Sequence, residues 1–489
     1  MNARSTLWLL VFLGFWINDV FKTNMSMVIT SMVKDYSMNT NFTGRCGVGS
    51  FTSWHKLTGV VPPKSVIKQI TFDWDDHEQD LILGSFFWIH WIAQLPGGIL
   101  THYFGTKVVL GVSIFLGVIS NILIPFAAKM GIKTLIFVRL FQGFVGGATW
   151  SSLPHLTARW IPKKERAIFL TSYLGGSAGW PITYVLSMYI TDTFGWQYVF
   201  YVQSILGMIW CITWKQLAYD DPFQHPSISI KERAHILNGM RESGFIEGQM
   251  LPIPWRSIFT CAAVWVNLIT CTGSLWVLFT MITLSPSYLK SSHGLDWKTI
   301  SIFFSISHIA RWFFAITLCS VAKRQKYLPL RNVRKLATSV CTIGTGSTLL
   351  IVSLSNCNIV PAMIALSLAI ISIGVQGAGP VAIFIDMGPN FTGILTGISG
   401  SVGGLAGLIS PMWLNYLMKD DHTSFQWQKI FMITAFICWI SGIVNLFFGT
   451  SELQSWNKKD TSEEQHLSTQ ITLLSSKSNK TRVEMISCK

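Results

Sequence analysis

From Leu81 to Leu100 the chain reads LILGSFFWIHWIAQLPGGIL, with no Asp, Glu, Lys or Arg, between an acidic lead-in (FDWDDHEQD) and a Gly-and-Lys turn (THYFGTK). An α-helix needs about 20 apolar residues to cross a hydrocarbon layer about 30 Å thick, so this stretch predicts a membrane span with its tight turn on one surface. A window of about 19 residues finds the same signal near 6–31, 81–101, 108–128, 134–157, 168–190, 196–218, 258–283, 298–322, 336–355, 360–386, 393–418 and 428–449. The expected fold is an all-α membrane protein of twelve transmembrane helices. A polar connection, residues 219–256, separates a first six-helix bundle (1–218) from a second (257–449), and a tail rich in Ser, Lys and Glu (450–489) reads as disordered.

Composition excludes the other broad classes. The chain is 50% hydrophobic and 12% charged, against roughly 25% charged residues in a soluble protein, and its mean hydropathy is +0.43. The net charge of +14 does not indicate nucleic acid, because the basic residues lie in short loops between apolar runs with no basic aromatic surface. Six of the nine cysteines fall in apolar runs, while Cys46 and Cys357 are loop residues and Cys488 is in the tail, which predicts neither a disulfide nor a zinc framework. The apolar N-terminus contains Asn18, Asp19 and Lys22 and has no small-residue cleavage site after it, so it reads as the first span rather than a signal peptide.

Basic loop residues set the expected orientation. Arg159, Lys163, Lys164 and Arg166 follow the fourth span, and Lys323, Arg324, Lys326, Arg331, Arg334 and Lys335 follow the eighth. Those loops are expected in the cytosol, together with the connecting loop, the tail and both termini. The long loop from about Lys34 to Asp80 then faces the outside or a lumen, which suits N-glycosylation at Asn41 in Asn41-Phe42-Thr43. The same pattern at Asn24, Asn390 and Asn479 is expected to stay unmodified.

The two bundles repeat one another. FFWIHWIAQ at Phe86 matches FFSISHIAR at Phe303, placing Gln94 opposite Arg311 and Lys107 opposite Arg324. GGSAGWP at Gly175 answers GGLAGLISP at Gly403, and FGWQYVF at Phe194 answers FQWQKIF at Phe425. Matches in common order half a chain apart predict two pseudo-symmetric halves that rock about a midplane site. Gly175 with Gly179, and Gly403 with Gly407, have the spacing that lets helices approach closely, which serves either static packing or gating. Lys107, in the turn after the second span, is a further gating candidate.

An ionisable side chain at the centre of a span costs at least about 2.5 kcal/mol, so each one calls for a reason. Asp19, Lys22, Arg139, Arg311 and, nearer the cytosolic end, Asp386 are the cases. Asp19 and Lys22 are spaced to pair on one helix face, and Arg139 is near enough to a helix end to snorkel. Arg311 is near mid-span, with His308 three residues before it. Three cations against two acids make an interior that attracts small anions, to which Arg offers a bidentate pair. The cluster Asp73, Asp75, Asp76, His77, Glu78 and Asp80 reads as the solvated start of the second helix rather than a metal site. No nucleophile elbow, P-loop or HExxH motif appears, so neither an enzyme nor a cofactor is expected.

Several letter patterns run through most of the chain. They are FxW at Phe72, GSFFW and QLPGG within Gly84–Gly98, FVRLFQG at Phe137, WIPKKER at Trp160, GWxxVFY at Gly195, HPSIS at His225, VRK at Val333, Asp386, and GILTGISG at Gly393. Over about residues 6–456 the chain resembles the anion:cation symporters of the major facilitator superfamily, which include sialin, the vesicular glutamate transporters and type I sodium-phosphate cotransporters. The resemblance implies the major facilitator fold and a secondary active transporter of small inorganic or organic anions, nearest the phosphate and sialin branch. It also implies a plasma membrane or an endolysosomal or vesicle membrane, with sodium a candidate coupling ion.

The resemblance also implies roles for residues. Lys22 stands in the first helix where the family resembles R-x-N-L-S, and Arg139 matches its fourth-helix arginine, so these two are expected to hold the anion with Arg311 and His308 as further contacts. Gly146 stands where sialin-like and glutamate-carrying members have a glutamate linked to proton coupling, which leaves Asp19 as the one buried acid available for coupling. Leu83 and Ser274 replace the histidine and arginine of the glutamate carriers, and His102 replaces the acid of the superfamily's GxLxDRxGRK turn. A non-transporting sensor or interaction protein on a carrier fold is the alternative that these departures suggest.

Overall fold

The computed structural model describes residues 2–33, 71–245, 251–295, 297–324, 327–409, 412–413 and 424–457. Among these the secondary structure is helical apart from one isolated bridge, Val33 with Phe72. Eight helical stretches are long and apolar enough to cross a membrane by themselves: Ala3–Ile29, Thr106–Met130, Ala262–Thr283, Thr299–Arg324, Leu330–Leu354, Ile359–Met387, Pro389–Ile409 and Gln426–Phe448. The remaining expected spans, the second, fourth, fifth and sixth, are also helical but shorter or more polar. The fourth, Ile132–Trp160, buries Arg139, Gln142, Ser151, Ser152, His155 and Thr157, and the fifth, Gly175–Thr193, starts only after a 3-10 turn at Leu170–Leu174.

The second span departs from the sequence reading, being two helices, Asp76–Trp88 and Gln94–Phe104, joined by a turn. Asp75 caps the first through the Glu78 amide, and Glu78 reciprocates, so the acidic cluster here starts a helix. The break lies just ahead of Pro96, which has no N–H to give the Ile92 carbonyl and whose ring crowds it, so the helix restarts at Gln94. A β-carbon at Gly143 would stand 1.9 Å from the Phe86 carbonyl oxygen, and one at Gly147 would stand 2.3 Å from that of His90. These two glycines let the second span lie directly on the fourth, where His90 Nδ1 is 3.1 Å from the Gly143 carbonyl. Its repeat partner, the eighth span, is one continuous helix, Trp297–Arg324.

In the second half, irregular turns interrupt two spans. The ninth runs Leu330–Ser339, then a π-turn at Val340–Gly344, then Thr345–Leu354. The tenth passes from Ile359–Ser372 through a 3-10 turn at Ile373–Gln376 and a π-turn at Gly377–Val381 into Ala382–Met387. Such turns inside helices are frequent at functional sites. Around the outside, Phe137, Val185, Ile205, Ile306, Phe313 and Ile440 are each more than half exposed, the belt expected of surface that meets lipid.

The connecting segment joins the two halves at one end, the basic end. The Ala3 and Arg4 amides donate to Glu232 of the helix Ile230–Glu242 in the connecting segment. From the other half, Asn457 Nδ2 donates to Gly244 O at 2.9 Å, and Asn390 Nδ2 donates to Asn457 O. The beginning of the first span, the connecting segment and residues 451–457 therefore share one face, as an even number of crossings requires. Asn24 and Asn390 are buried and hydrogen-bonded, which leaves neither free for a glycan; Asn41 and Asn479 lie outside the described residues. One expectation is corrected: Cys357, in the turn after the ninth span, is disulfide-bonded. Cysteine spacing alone gave no sign of it, because such a bond depends on which loops meet in space.

Candidate functional site

The first span, Ala3–Met32, carries the centre of the site. Asp19 and Lys22, three residues apart, do pair, with Nζ 3.1 Å from Oδ1, and both side chains keep partial exposure, 34% and 24%. The pair rests on the fifth span, where a β-carbon at Gly176 would fall 1.5 Å from Asp19 Oδ2. Gly176 is thus the residue that admits the carboxylate. Its neighbours do the same for the helix backbone: β-carbons at Gly175 and Gly179 would meet the Phe12 carbonyl oxygen and the Trp16 ring at 1.9 and 2.0 Å.

Arg139 is placed behind this pair. Its Nη1 donates to Phe21 O at 3.0 Å and to Gln142 Oε1 at 2.9 Å, and its Nη2 donates to Lys22 O at 3.3 Å. The guanidinium lies 5.2 Å from the Phe86 ring centroid and is buried. It therefore braces the backbone of the turn that holds Lys22 out, and it does not snorkel. Arg311 comes from the opposite half and is also buried. His308, one turn earlier, stacks on Trp180 of the fifth span with centroids 5.5 Å apart. The helix that carries Arg311 and His308 thus packs against the first and fifth spans of the other half, through Phe12–Trp312 and Trp180–His308. At Gly146 a β-carbon would meet Asn18 Oδ1 and the Phe86 ring at 3.4 Å, so a side chain there would face the first span at Asn18.

The fifth charged position of the sequence reading, Asp386, belongs to the basic end. Arg166 Nη1 donates to Asp386 Oδ1 at 2.7 Å and Arg334 Nε to Oδ2 at 3.0 Å, all three side chains being almost wholly buried. Arg166 also donates to Ile385 O, and Arg334 reaches back to Lys163 O. One carboxylate thus binds a guanidinium from each half. Sequence reasoning treated Arg166 and Arg334 only as orientation signals, although both lie in the motifs quoted above, WIPKKER and VRK.

Lys107 stays within its own half. Its ammonium lies over the Tyr219 ring at 4.4 Å and its amide donates to Asp220 Oδ1 at 2.8 Å. Gly105, with φ +81°, would place a β-carbon 2.3 Å from Asp220 Oδ2, so the turn needs glycine for both conformation and space. Burial raises the Asp220 carboxyl above the ordinary carboxylate value, against the lowering effect of the Lys107 amide and Arg159. His102 crosses between halves instead: Nε2 is 2.9 Å from Leu251 O, and the ring stacks on Phe391.

The glycines of the eleventh span divide by face. Gly403 and Gly407 pack on Leu275 and Phe279 of their own half, whereas Gly393, Gly397, Gly400 and Gly404 lie on the second span of the other. A β-carbon at Gly98 would stand 2.1 Å from the Gly393 carbonyl oxygen. Among the described residues, no three or more His, Cys, Asp and Glu side chains are grouped so as to hold a metal ion.

Two helical halves sharing a charged midplane and a buried inter-half ion network define a multi-pass carrier. The chain belongs to the Major Facilitator Superfamily, whose family model matches residues 7–411. Among curated proteins it is 29% identical to vesicular glutamate transporter 3 of Danio rerio, over 92% of this chain and 74% of that one. It is 30% identical to the uncharacterized transporter slc-17.2 of Caenorhabditis elegans, over 95% and 94%. Vesicular glutamate transporter 2 of Homo sapiens is 28% identical over 92% and 75%. Among solved structures, the proton:xylose symporter XylE bound to 6-bromo-6-deoxy-D-glucose superposes with a TM-score of 0.66 at 12% identity, covering 92% of this chain and 97% of that one, a likeness of fold. The protein is a transporter of this superfamily, related to the vesicular glutamate transporters, and not an enzyme.

Proposed function

We propose that the protein carries small inorganic or organic anions by alternating access. One observation carries this reading: among the described residues, the mid-span cations Lys22, Arg139 and Arg311 are set against one mid-span acid, Asp19, which only Lys22 pairs with, because Asp386 is engaged by Arg166 and Arg334 at the basic end. Three cations against one acid in a low-dielectric interior draw anions in. Lys22 is the partly exposed cation and makes the contact, Arg139 fixes the turn that presents it, and Arg311 with His308 receives the anion from the other half.

Access alternates about the two closures at the basic end. In the state described here Arg166–Asp386–Arg334 and the Gly98–Gly393 contact hold that end shut; parting them opens the other route. The gating role foreseen for the paired glycines attaches to the Gly393, Gly397, Gly400 and Gly404 face, while Gly175, Gly179, Gly403 and Gly407 keep each half rigid and Lys107 anchors its turn. The basic end is cytosolic, by its excess of Lys and Arg. The Cys357 disulfide supports the opposite end facing an oxidising compartment, either outside the cell or within a vesicle.

Gly146 has no side chain to carry a proton, and Asp19 is paired with Lys22 on its own helix. Sodium or the membrane potential, rather than a proton gradient alone, therefore drives uptake. The test is labelled-anion uptake into proteoliposomes over a panel from phosphate to monocarboxylates and glutamate, with sodium, proton and potential gradients imposed separately. Saturable uptake of at least one anion is the expected result, and none for any anion under any gradient refutes the reading.

A further inference from the structure

The eighth span carries more than the two residues read from its sequence. Ser305 Oγ, His308 Nδ1, Arg311 Nε and Trp312 Nε1 are all buried and make no hydrogen bond, and neither does Trp180 Nε1 on the fifth span. At 100° per residue, positions 305, 308, 311 and 312 fall within about 120° of one helix face. Trp180 stacks on His308 at 5.5 Å and Phe12 of the first span lies 5.7 Å from Trp312, so this face looks across to the other half. Buried polar atoms are ordinarily paired. Here three obligatory donors (Arg311, Trp312, Trp180) and two adaptable groups lie along this interface, and the Asp19 carboxylate rests on Gly176, one turn from Trp180. Beside them are the two irregular turns. The 3-10 turn at Ile373–Gln376 contains Gly374, whose β-carbon would stand 2.8 Å from Arg311 O, and the π-turn at Val340–Gly344 contains Cys341.

We propose that Ser305, His308, Arg311, Trp312 and Trp180 form a subsite for a small singly charged oxyanion, and that Asp19 is its built-in counter-charge, displaced from Arg311 when the anion arrives. The inference rests on the anion-carrier reading and deepens it. A donor set with one permanent cation matches one negative charge and several lone pairs. Because Asp19 sits on the first half and Arg311 on the second, its attraction to Arg311 ties the halves together while the site is empty. An anion on Arg311 replaces that tie and leaves Asp19 to Lys22 on its own helix, so binding itself loosens one inter-half contact.

Calorimetric titration of the purified full-length protein in chloride-free buffer, with acetate and with inorganic phosphate as probes, tests this. Saturable binding of either probe is expected, acetate identifying a carboxylate site and phosphate an inorganic one. Arg311→Gln should abolish binding, and Trp312→Phe, which keeps the ring and loses the donor, should weaken it about threefold to tenfold. Asp19→Asn should tighten it about tenfold, and that gain should vanish in the Arg311→Gln background, a coupling that a general change of potential does not give. Melting curves establish that each variant is folded. Asp19→Asn that binds no tighter, a gain that survives without Arg311, or neither probe binding the wild type each overturns the proposal. Arg311-dependent binding in a protein that shows no uptake sustains the subsite while removing the transport reading. Uptake with Arg311→Gln binding like wild type does the reverse.

Discussion

Lys22 and Arg139 differ in what they offer a ligand, although both are cations inside spans. Lys22 is partly exposed and paired with one acid, while Arg139 spends its donors on the carbonyls of Phe21 and Lys22 and on Gln142. Lys22→Ala should abolish uptake by removing a charge-assisted contact of about 1.5–3 kcal/mol, a tenfold to hundredfold loss of affinity. Arg139→Ala should abolish uptake too, but with a lowered melting temperature, because two backbone carbonyls and Gln142 lose their partner. Normal uptake by either variant removes that residue from the site. The Asp19–Lys22 pair was legible in the sequence, since three-residue spacing puts both on one helix face. Arg139's target was not, because an arginine aimed at the backbone of another helix leaves no mark in its own neighbours.

Among elements, the hydropathy pattern gave the helical spans and their division into halves, because the pattern that locates a span is local. While the break in the second span has a local cause in Pro96, the close seat of that span on the fourth escaped the pattern, being set by Gly143 and Gly147 on a different helix. The closure at the basic end escaped for the same reason: Arg166 and Asp386 are 220 positions apart. Asp386→Asn strands two buried guanidiniums and should destabilise the protein by about 3–5 kcal/mol, read as a lower melting temperature in nanodiscs, with partial recovery in Asp386→Asn/Arg166→Gln. An unchanged melting curve would mean that the network holds nothing together. Gly98→Val drives a β-carbon into the Gly393 carbonyl, 2.1 Å away. Uptake should fall at least about tenfold as the basic end loses its closed state; full activity rules out that contact as a gate.

For the whole molecule, superfamily membership was readable in advance from ordered motifs, while the ionisable residues in apolar runs pointed to the anion reading proposed above. Orientation is open to a simple check: Asn41→Gln should leave no mobility shift on glycosidase treatment, and a persisting shift contradicts the placing of the basic end in the cytosol. The central claim is that an electropositive midplane built on Lys22 and Arg311 moves anions without a proton carrier at position 146. Its most direct test is labelled-anion uptake into proteoliposomes under a sodium or potential gradient and, separately, under a pH step alone with sodium absent and the potential clamped. Concentrative uptake in the first case and none in the second is the predicted result, with the first lost in Lys22→Ala. Concentrative uptake from the pH step alone contradicts it and assigns the proton to Asp19.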